Sequence, residues 1–439
     1  MTDPSHLRDS MVYGHLWVTD EMRAWFAESN RMRTWLRIYA DIAGAQCDIG
    51  AVPAEAAADI AACSSTSSTL DWPSIAGRTR DSGHSTIGLV DWLRASVAPE
   101  HAGFVGVATT VQDISDTWAA LTMVETARLV EEDLQAILTS LRTLATRYRE
   151  TPMLGRTHGQ PAVPVTFGFK LTQWGAEVER HLDRLREGRP RWGTAQLGGS
   201  VGSLAYWGKD ALSLLSAFSR RIRLPEPSVP WGSARDCIGE FAATCSMLSS
   251  TLAKIGNEVY QLQRPEIAEL AESQSDEQVA SVTMAHKRNP ERSEHLVTLG
   301  TLIRSHGGVL MAGNASEHER DGRSWKTEWI ALPDLCCGIT RASRLARELL
   351  TGLEVHHETM RANIQLQNGS ALSEQRLRTL ADDVGYDVAY QTVRNVVRQS
   401  STTQAVTPGM ADDAEDADLD RATESAVTLV DRWLGQEPT

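Results

Sequence analysis

An all-α fold built from a bundle of long helices is predicted by three features of this chain. Apolar residues recur at helical spacing over long stretches. The Val/Ile alternation that marks a sheet is scarce. Turn-forming residues cluster so that they divide the chain into three.

The first part, 1–104, reads as a helical region of shorter elements. It opens with the run Glu21–Ala43 and is broken by the Ser-rich stretch Ser64–Thr69 and the Gly/His/Ser turn Ser82–Thr86. The second part, 105–355, carries the long helices. Leu121, Val124, Leu134, Ile137, Leu141 and Leu144 stand three, four and seven apart or at sums of these, which puts them on one stripe. Similar patterns run over 165–188, 235–262, 291–316 and 329–355. Helices of about 25 residues bury such stripes against one another, so a bundle follows. Most Leu, Met and Trp on the stripes are core by this reading. Gly198-Gly199-Ser200-Val201-Gly202-Ser203 lacks the strand–loop–helix context of a nucleotide-binding fingerprint and reads as a turn between long helices. The third part, 356–439, has shorter segments, an acidic loop at Thr402–Asp418 and a last helix at about 419–434. No internal repeat is visible.

Composition narrows the function. The 439 residues suffice for a sizeable core, and the formal net charge of -14 comes with no Lys/Arg-rich run. Nucleic acid is therefore not an expected partner. Six cysteines form no Cys-x-x-Cys pair and read as reduced thiols. The start MTDPSHLRDS has no basic and apolar leader pattern, and no apolar run approaches the roughly 20 residues of a membrane helix. A cytoplasmic protein without membrane contact is expected. No metal-ligand spacing stands out, since His356 and His357 are adjacent, and no metal or cofactor is expected.

Three separated segments concentrate chemistry. The first is Gly106-Val107-Ala108-Thr109-Thr110-Val111-Gln112-Asp113-Ile114-Ser115-Asp116-Thr117. Hydroxyls and free N–H groups at a helix start suit a carboxylate, although the same Thr and Asp residues also serve as helix caps. For Asp113 and Asp116 the capping role is the better reading. The second segment is Gly155-Arg156-Thr157-His158-Gly159-Gln160-Pro161, and histidine as a residue type suits proton transfer because its unperturbed pKa lies near neutrality. The third is Ala280-Ser281-Val282-Thr283-Met284-Ala285-His286-Lys287-Arg288-Asn289-Pro290.

Together these segments resemble the fumarase/aspartase superfamily over nearly the whole chain. The third is similar to its signature Gly-Ser-Ser-x-Met-Pro-x-Lys-x-Asn-Pro, with Ala280, Val282 and Ala285 as departures. The second matches Gly-Arg-Thr-His-x-Gln without a departure. The first resembles His-x-Gly-x-Thr-Ser-x-Asp, but Gly106 stands at the histidine, Ala108 at the glycine and Val111 at the serine. The resemblance implies a long-helix homotetramer whose active sites each take residues from three subunits. It implies β-elimination from a small dicarboxylate, with fumarate as product.

The resemblance also implies roles. Ser281 is the base, an alkoxide viable only among N–H donors and a cation in a site closed to water. His158 donates a proton to the leaving group, and Glu294 orients it, unless Glu294 is only a solvated helix charge. Thr109, Thr110 and Thr157 hold substrate. Lys287 and Asn289 bind the carboxylate on which charge gathers as the aci-carboxylate forms. Arg320, in a Glu-Arg-Asp segment, and Arg235, in Trp231-Gly232-Ser233-Ala234-Arg235-Asp236, are anion-binding candidates or intersubunit salt bridges. His84 aligns loosely with a histidine-bearing loop.

The substrate is read as a substituted succinate. Nitrosuccinate leads, giving fumarate and nitrite, because nitrite is a weak base and needs little proton donation where Gly106 replaces a histidine. The 3-carboxy-cis,cis-muconate cycloisomerase branch, an adenylosuccinate lyase-like C–N lyase and a non-catalytic structural member are the alternatives.

Overall fold

The computed structural model describes residues 6–65, 70–275, 283–284, 286–367, 369–402 and 412–436. Among them the fold is mainly helical. Contacts group the chain into two compact units. Unit 1 comprises Met1–Glu132, Leu182–Ser250 and Leu299–Arg344, and unit 2 comprises Asp133–His181, Thr251–Thr298 and Leu345–Thr439.

The N-terminal helices are α1 (Asp20–Phe26), α2 (Glu28–Asp48), α3 (Ala54–Ser65), α4 (Trp72–Ser82) and α5 (Ile87–Ser96), all short except α2 with its 21 residues. Local chemistry sets their ends. Thr19 accepts the Met22 N–H at the start of α1, and Asp71 accepts the Ser74 N–H at the start of α4. Gly83, at φ 64°, closes α4 in the left-handed conformation that only glycine adopts without strain.

The five long patterns are helices α6 (Val111–Arg147), α7 (Phe167–Trp192), α9 (Asp236–Leu262), α10 (Glu291–Ala312) and α11 (Gly322–Thr351), with the shorter α8 (Ala211–Ile222) between α7 and α9. Each long helix contributes residues to both units. In unit 1, Trp192 and Phe241 pack edge to face at 5.0 Å, and the Trp325 indole donates to Ser115 Oγ at 3.2 Å. The latter gives a buried indole N–H the acceptor it needs.

Unit 2 contains a feature that the helical periodicity does not announce. Strands β1 (Pro152–Thr157) and β2 (Gln160–Thr166) form an antiparallel hairpin, and β3 (Leu270–Glu272) pairs with β4 (Leu353–Val355). Leu154 of the hairpin packs into an apolar cluster with Ile364, Ala371, Leu372 and Leu419. The C-terminal segments are α12 (His357–Gln365), α13 (Ser373–Val384), α14 (Tyr386–Thr402) and α15 (Asp412–Leu434). The last helix begins seven residues earlier than the sequence pattern suggests (412 against 419), because Asp412–Asp418, read from the sequence as part of the acidic loop, are helical. It is seated in unit 2 by Arg149, which donates to Asp431, and by Trp433, whose ring lies against Gly175 with no room for a β-carbon. No described helix is long and apolar enough to cross a membrane.

Candidate active site

The start of α6 is shaped by two residues with positive φ. Gly106 (70°) and Ala108 (52°) reverse the chain, and Thr109 Oγ1 then donates to Gly106 O at 2.9 Å. Thr110 is the cap. Its N–H donates to Asp113 Oδ2 at 2.9 Å, and its carbonyl accepts the Asp113 N–H at 3.0 Å. Asp113 also accepts the Gly198 N–H at 2.7 Å and the Gly199 N–H at 3.2 Å. It thereby ties the glycine-rich turn to the helix start, in line with the structural reading of Asp113. Burial pushes its carboxyl up to about 7, against the pull of these N–H groups. Thr109 and Thr110 remain half-buried, with acceptor lone pairs still available. The ring of Tyr39 lies beneath Gly106, and burial pushes its phenol up to about 12.

Arg235 corrects an expectation. It is 2% exposed, and every one of its five N–H donors is taken inside unit 1. Nε donates to Glu328, Nη1 to Asp116 Oδ2 at 2.6 Å and to Gly232 O at 3.2 Å, and Nη2 to Asp116 Oδ1 at 3.2 Å and to Glu328. No donor is left for a substrate. Burial works against its charge, but Asp116 and Glu328 outweigh it and hold the guanidinium above its ordinary pKa. Arg235 is therefore a positioning group within its own subunit.

Gln112 is the residue that the sequence reading missed. Buried as the second residue of α6, it donates to Asp116 Oδ2 at 3.0 Å and accepts from Arg320 Nε at 2.9 Å. It so connects Arg320 to the Arg235 cluster. Its place beside two capping residues was the only sequence signal, and a glutamine there has many other uses. Arg320 is half-buried and also donates Nη2 to Ser200 O at 2.9 Å and to Gly199 O at 3.3 Å. Its Nη1 has no partner among the described residues, so one end of this guanidinium stays open to an anion. His84 is exposed in the turn after α4, 3.5 Å from Thr86 Oγ1.

In unit 2 the register pairs Thr157 with Gln160 and leaves His158-Gly159 as a two-residue turn. Both turn residues have positive φ, 53° and 74°. That is the type I′ geometry that matches strand twist. His158 and Thr157 are exposed at the tip. Arg156 secures the hairpin from below, donating Nη1 and Nη2 to Glu269 at 2.8 and 2.6 Å. Lys287 is exposed, Asn289 is half-buried within 3.4 Å of Glu291, and Glu294 is exposed in the first turn of α10. Among the described residues no hydrogen bond joins His158 to Glu294. Ser281 lies outside the described residues.

Unit 1 thus carries hydroxyls at a helix start and a half-buried guanidinium, and unit 2 carries an exposed imidazole, a lysine and an amide. The fold and the motif segments together define a lyase. The chain belongs to the lyase family of the fumarase/aspartase superfamily, whose model matches residues 17–304. It is 35% identical over 389 residues to the N-acetyl-S-(2-succino)cysteine lyase of Dickeya dadantii (strain 3937), covering 89% of this chain and 85% of that protein. It is 36% identical over 383 residues to the 3-carboxy-cis,cis-muconate cycloisomerase of Pseudomonas aeruginosa, covering 86% and 83%. Among solved structures it resembles the 3-carboxy-cis,cis-muconate lactonizing enzyme of Pseudomonas putida, with a TM-score of 0.88, 30% identity and coverage of 97% and 98%.

Proposed function

We propose that this lyase eliminates the substituent of a 2-substituted succinate and releases fumarate. Ser281 takes the proton from the carbon beside one carboxylate, and the C–H pair forms the double bond. The bond to the substituent breaks, and the substituent departs with its electron pair. Lys287 and Asn289 hold the carboxylate as charge spreads onto it, and the open end of Arg320 holds the other, with Thr109 and Thr110 beside it. The observation that carries this reading is His158. It is an exposed imidazole on a two-residue turn secured by Arg156 and Glu269, which is how a proton donor is presented to a bound substrate.

The leaving group is a weak base. An imidazole at position 106 would help an amine leave, and Gly106 provides none. A thiolate, with a parent pKa of about 8.5, needs less proton donation than an amine. The likeness to an N-acetyl-S-(2-succino)cysteine lyase makes a thioether of succinate the leading substrate. Nitrosuccinate is the second reading, favoured by the same glycine.

The active form is a homotetramer that completes each site with residues from three subunits. Leu302, Val309 and Met311 of α10, and Ile330 of α11, are exposed in the single chain. Apolar residues on a long helix call for a partner helix.

The test is a panel of N-acetyl-S-(2-succino)cysteine, nitrosuccinate and adenylosuccinate, with fumarate and the co-product quantified together. Equimolar fumarate and thiol is the expected result. Nitrite in place of thiol selects the second reading, and no fumarate from any of the three refutes the elimination. Ser281→Ala should keep the fold and the tetramer and abolish release. Undiminished release would reject Ser281 as base and leave a non-serine base to be found.

A further inference from the structure

Strand β3 has one fully buried carboxylate just before it, Glu269, which secures the hairpin, and another at its end, Glu272. Glu269 is 0% exposed and Glu272 is 2% exposed. Burying a carboxylate is costly unless its oxygens are hydrogen-bonded. Each of these two is satisfied by a different segment of the site.

Glu269 serves the hairpin. Oε1 accepts from Arg156 Nη2 at 2.6 Å and from Asn363 Nδ2 at 2.9 Å, and Oε2 accepts from Arg156 Nη1 at 2.8 Å. Arg156 stands two residues before His158. The bidentate pair fixes the strand from which the imidazole projects.

Glu272 serves the start of α10. The first helical bond runs from Glu294 N–H to Pro290 O at 3.0 Å, so Pro290 occupies the cap position. Proline has no side-chain acceptor for the free N–H groups of the first turn. Glu272 supplies them from the strand. Oε1 accepts the Ser293 N–H at 2.7 Å and Oε2 the Arg292 N–H at 3.1 Å. A negative charge here also faces the positive end of the helix dipole.

A ring of hydrogen bonds extends the hold to residue 288. Gln263 Oε1 accepts the Glu272 N–H at 2.8 Å, and Gln263 Nε2 donates to Arg288 O at 3.1 Å. Arg288 Nη2 then donates back to Glu272 O at 3.1 Å. Residue 288 lies between Lys287 and Asn289. All of these groups belong to unit 2.

We infer that Glu269 and Glu272 are positioning residues for the reaction. Glu269 acts through Arg156 on the proton donor His158. Glu272 acts through the α10 start on the carboxylate-binding pair Lys287 and Asn289. The inference rests on the elimination reading.

The test compares Glu269→Gln and Glu272→Gln in the full chain. Misplacing a reacting group by a fraction of an ångström costs on the order of tenfold. Glu269→Gln should therefore lower kcat about tenfold with KM little changed, and Glu272→Gln should lower kcat/KM by about as much, raising KM as well as lowering kcat. Pairing gives the sharper readout. Glu269→Gln should add no further loss to His158→Gln, and Glu272→Gln none to Asn289→Ala, whereas the crossed pairs should multiply. A general structural role would multiply in all four.

Amide hydrogen exchange without substrate gives an independent arm. Glu269→Gln should speed exchange in 153–160 alone, and Glu272→Gln in 291–295 alone. Unchanged or global exchange overturns the inference whatever the substrate is. Localised exchange with no succinate turned over overturns the elimination reading, and with it the positioning role. Localised exchange with turnover but without the kinetic split reduces the two carboxylates to structural anchors.

Discussion

Arg235 and Arg320 were equivalent candidates as sequence, and replacing each by methionine separates them. In Arg235→Met, Asp116 and Glu328 lose a shared cation while remaining 1% and 5% exposed. Removing one partner of a buried ion pair costs about 3–5 kcal/mol, because the remaining charge is left uncompensated. Here two carboxylates are left facing each other, so the upper part of that range is expected. In Arg320→Met the lost partners are Gln112 and two carbonyls, all of them neutral. About 1–2 kcal/mol is expected there. Urea denaturation followed by circular dichroism at one protein concentration measures both. Neutralising the two carboxylates in the Arg235→Met background (Asp116→Asn with Glu328→Gln) should recover a substantial part of the loss, since the uncompensated charges are then gone. The kinetic order should be the reverse of the stability order. Arg320→Met raises KM for a succinate, while the residual folded Arg235→Met protein keeps KM closer to that of the parent. The reasoning is refuted if Arg235→Met is as stable as the parent and raises KM, which would make Arg235 a substrate cation after all.

Two smaller effects follow from the same region. Ala108 holds a left-handed conformation that costs an L-residue about 1–2 kcal/mol, partly offset by the extra unfolded-state entropy of glycine, so Ala108→Gly should stabilise by about 0.5 kcal/mol. A lower thermal midpoint in that variant would mean that the turn is not strained there. Asp113 has a folded pKa raised to about 7 by burial, above an unfolded value near about 3.9. Its contribution is therefore fully present below the unfolded value and is lost as pH rises through the folded one. Asn at this position does not titrate. The stability gap between the parent and Asp113→Asn should narrow from about pH 4 to about pH 7 and then level off. A gap that is constant or widens with pH would show that the N–H groups of Thr110, Gly198 and Gly199 outweigh burial.

Much of this molecule is legible in local sequence. The period of apolar residues predicted the five long helices to within a few residues at most ends, because helix and stripe share one repeat. The first pattern, read from Leu121, starts ten residues inside α6, which begins at Val111, and the Gly198–Ser203 stretch is the turn that was expected. The resemblance to the superfamily was carried by short contiguous motifs, so the family was legible too. The hairpin around His158 was not. A two-residue turn with two positive φ values is usually announced by Asn-Gly or Asp-Gly, and His-Gly announces it poorly. The hairpin is held by Arg156 and Glu269, which are 113 residues apart.

The same distinction decides the arginines. The sequence alone determined that Arg235 and Arg320 are charged and stand beside motif residues. Whether such a guanidinium is open to an anion depends on how many of its five donors are already taken. Those partners lie 119, 93 and 208 residues away on helices that meet only in the folded units. Helix α10 makes the point once more. Its sequence has a proline where a capping side chain belongs, and only the tertiary structure supplies the acceptor, a glutamate from another strand. Helical period and motif identity are properties of neighbours along the chain. Occupied donors, buried charge and borrowed caps are properties of neighbours in space.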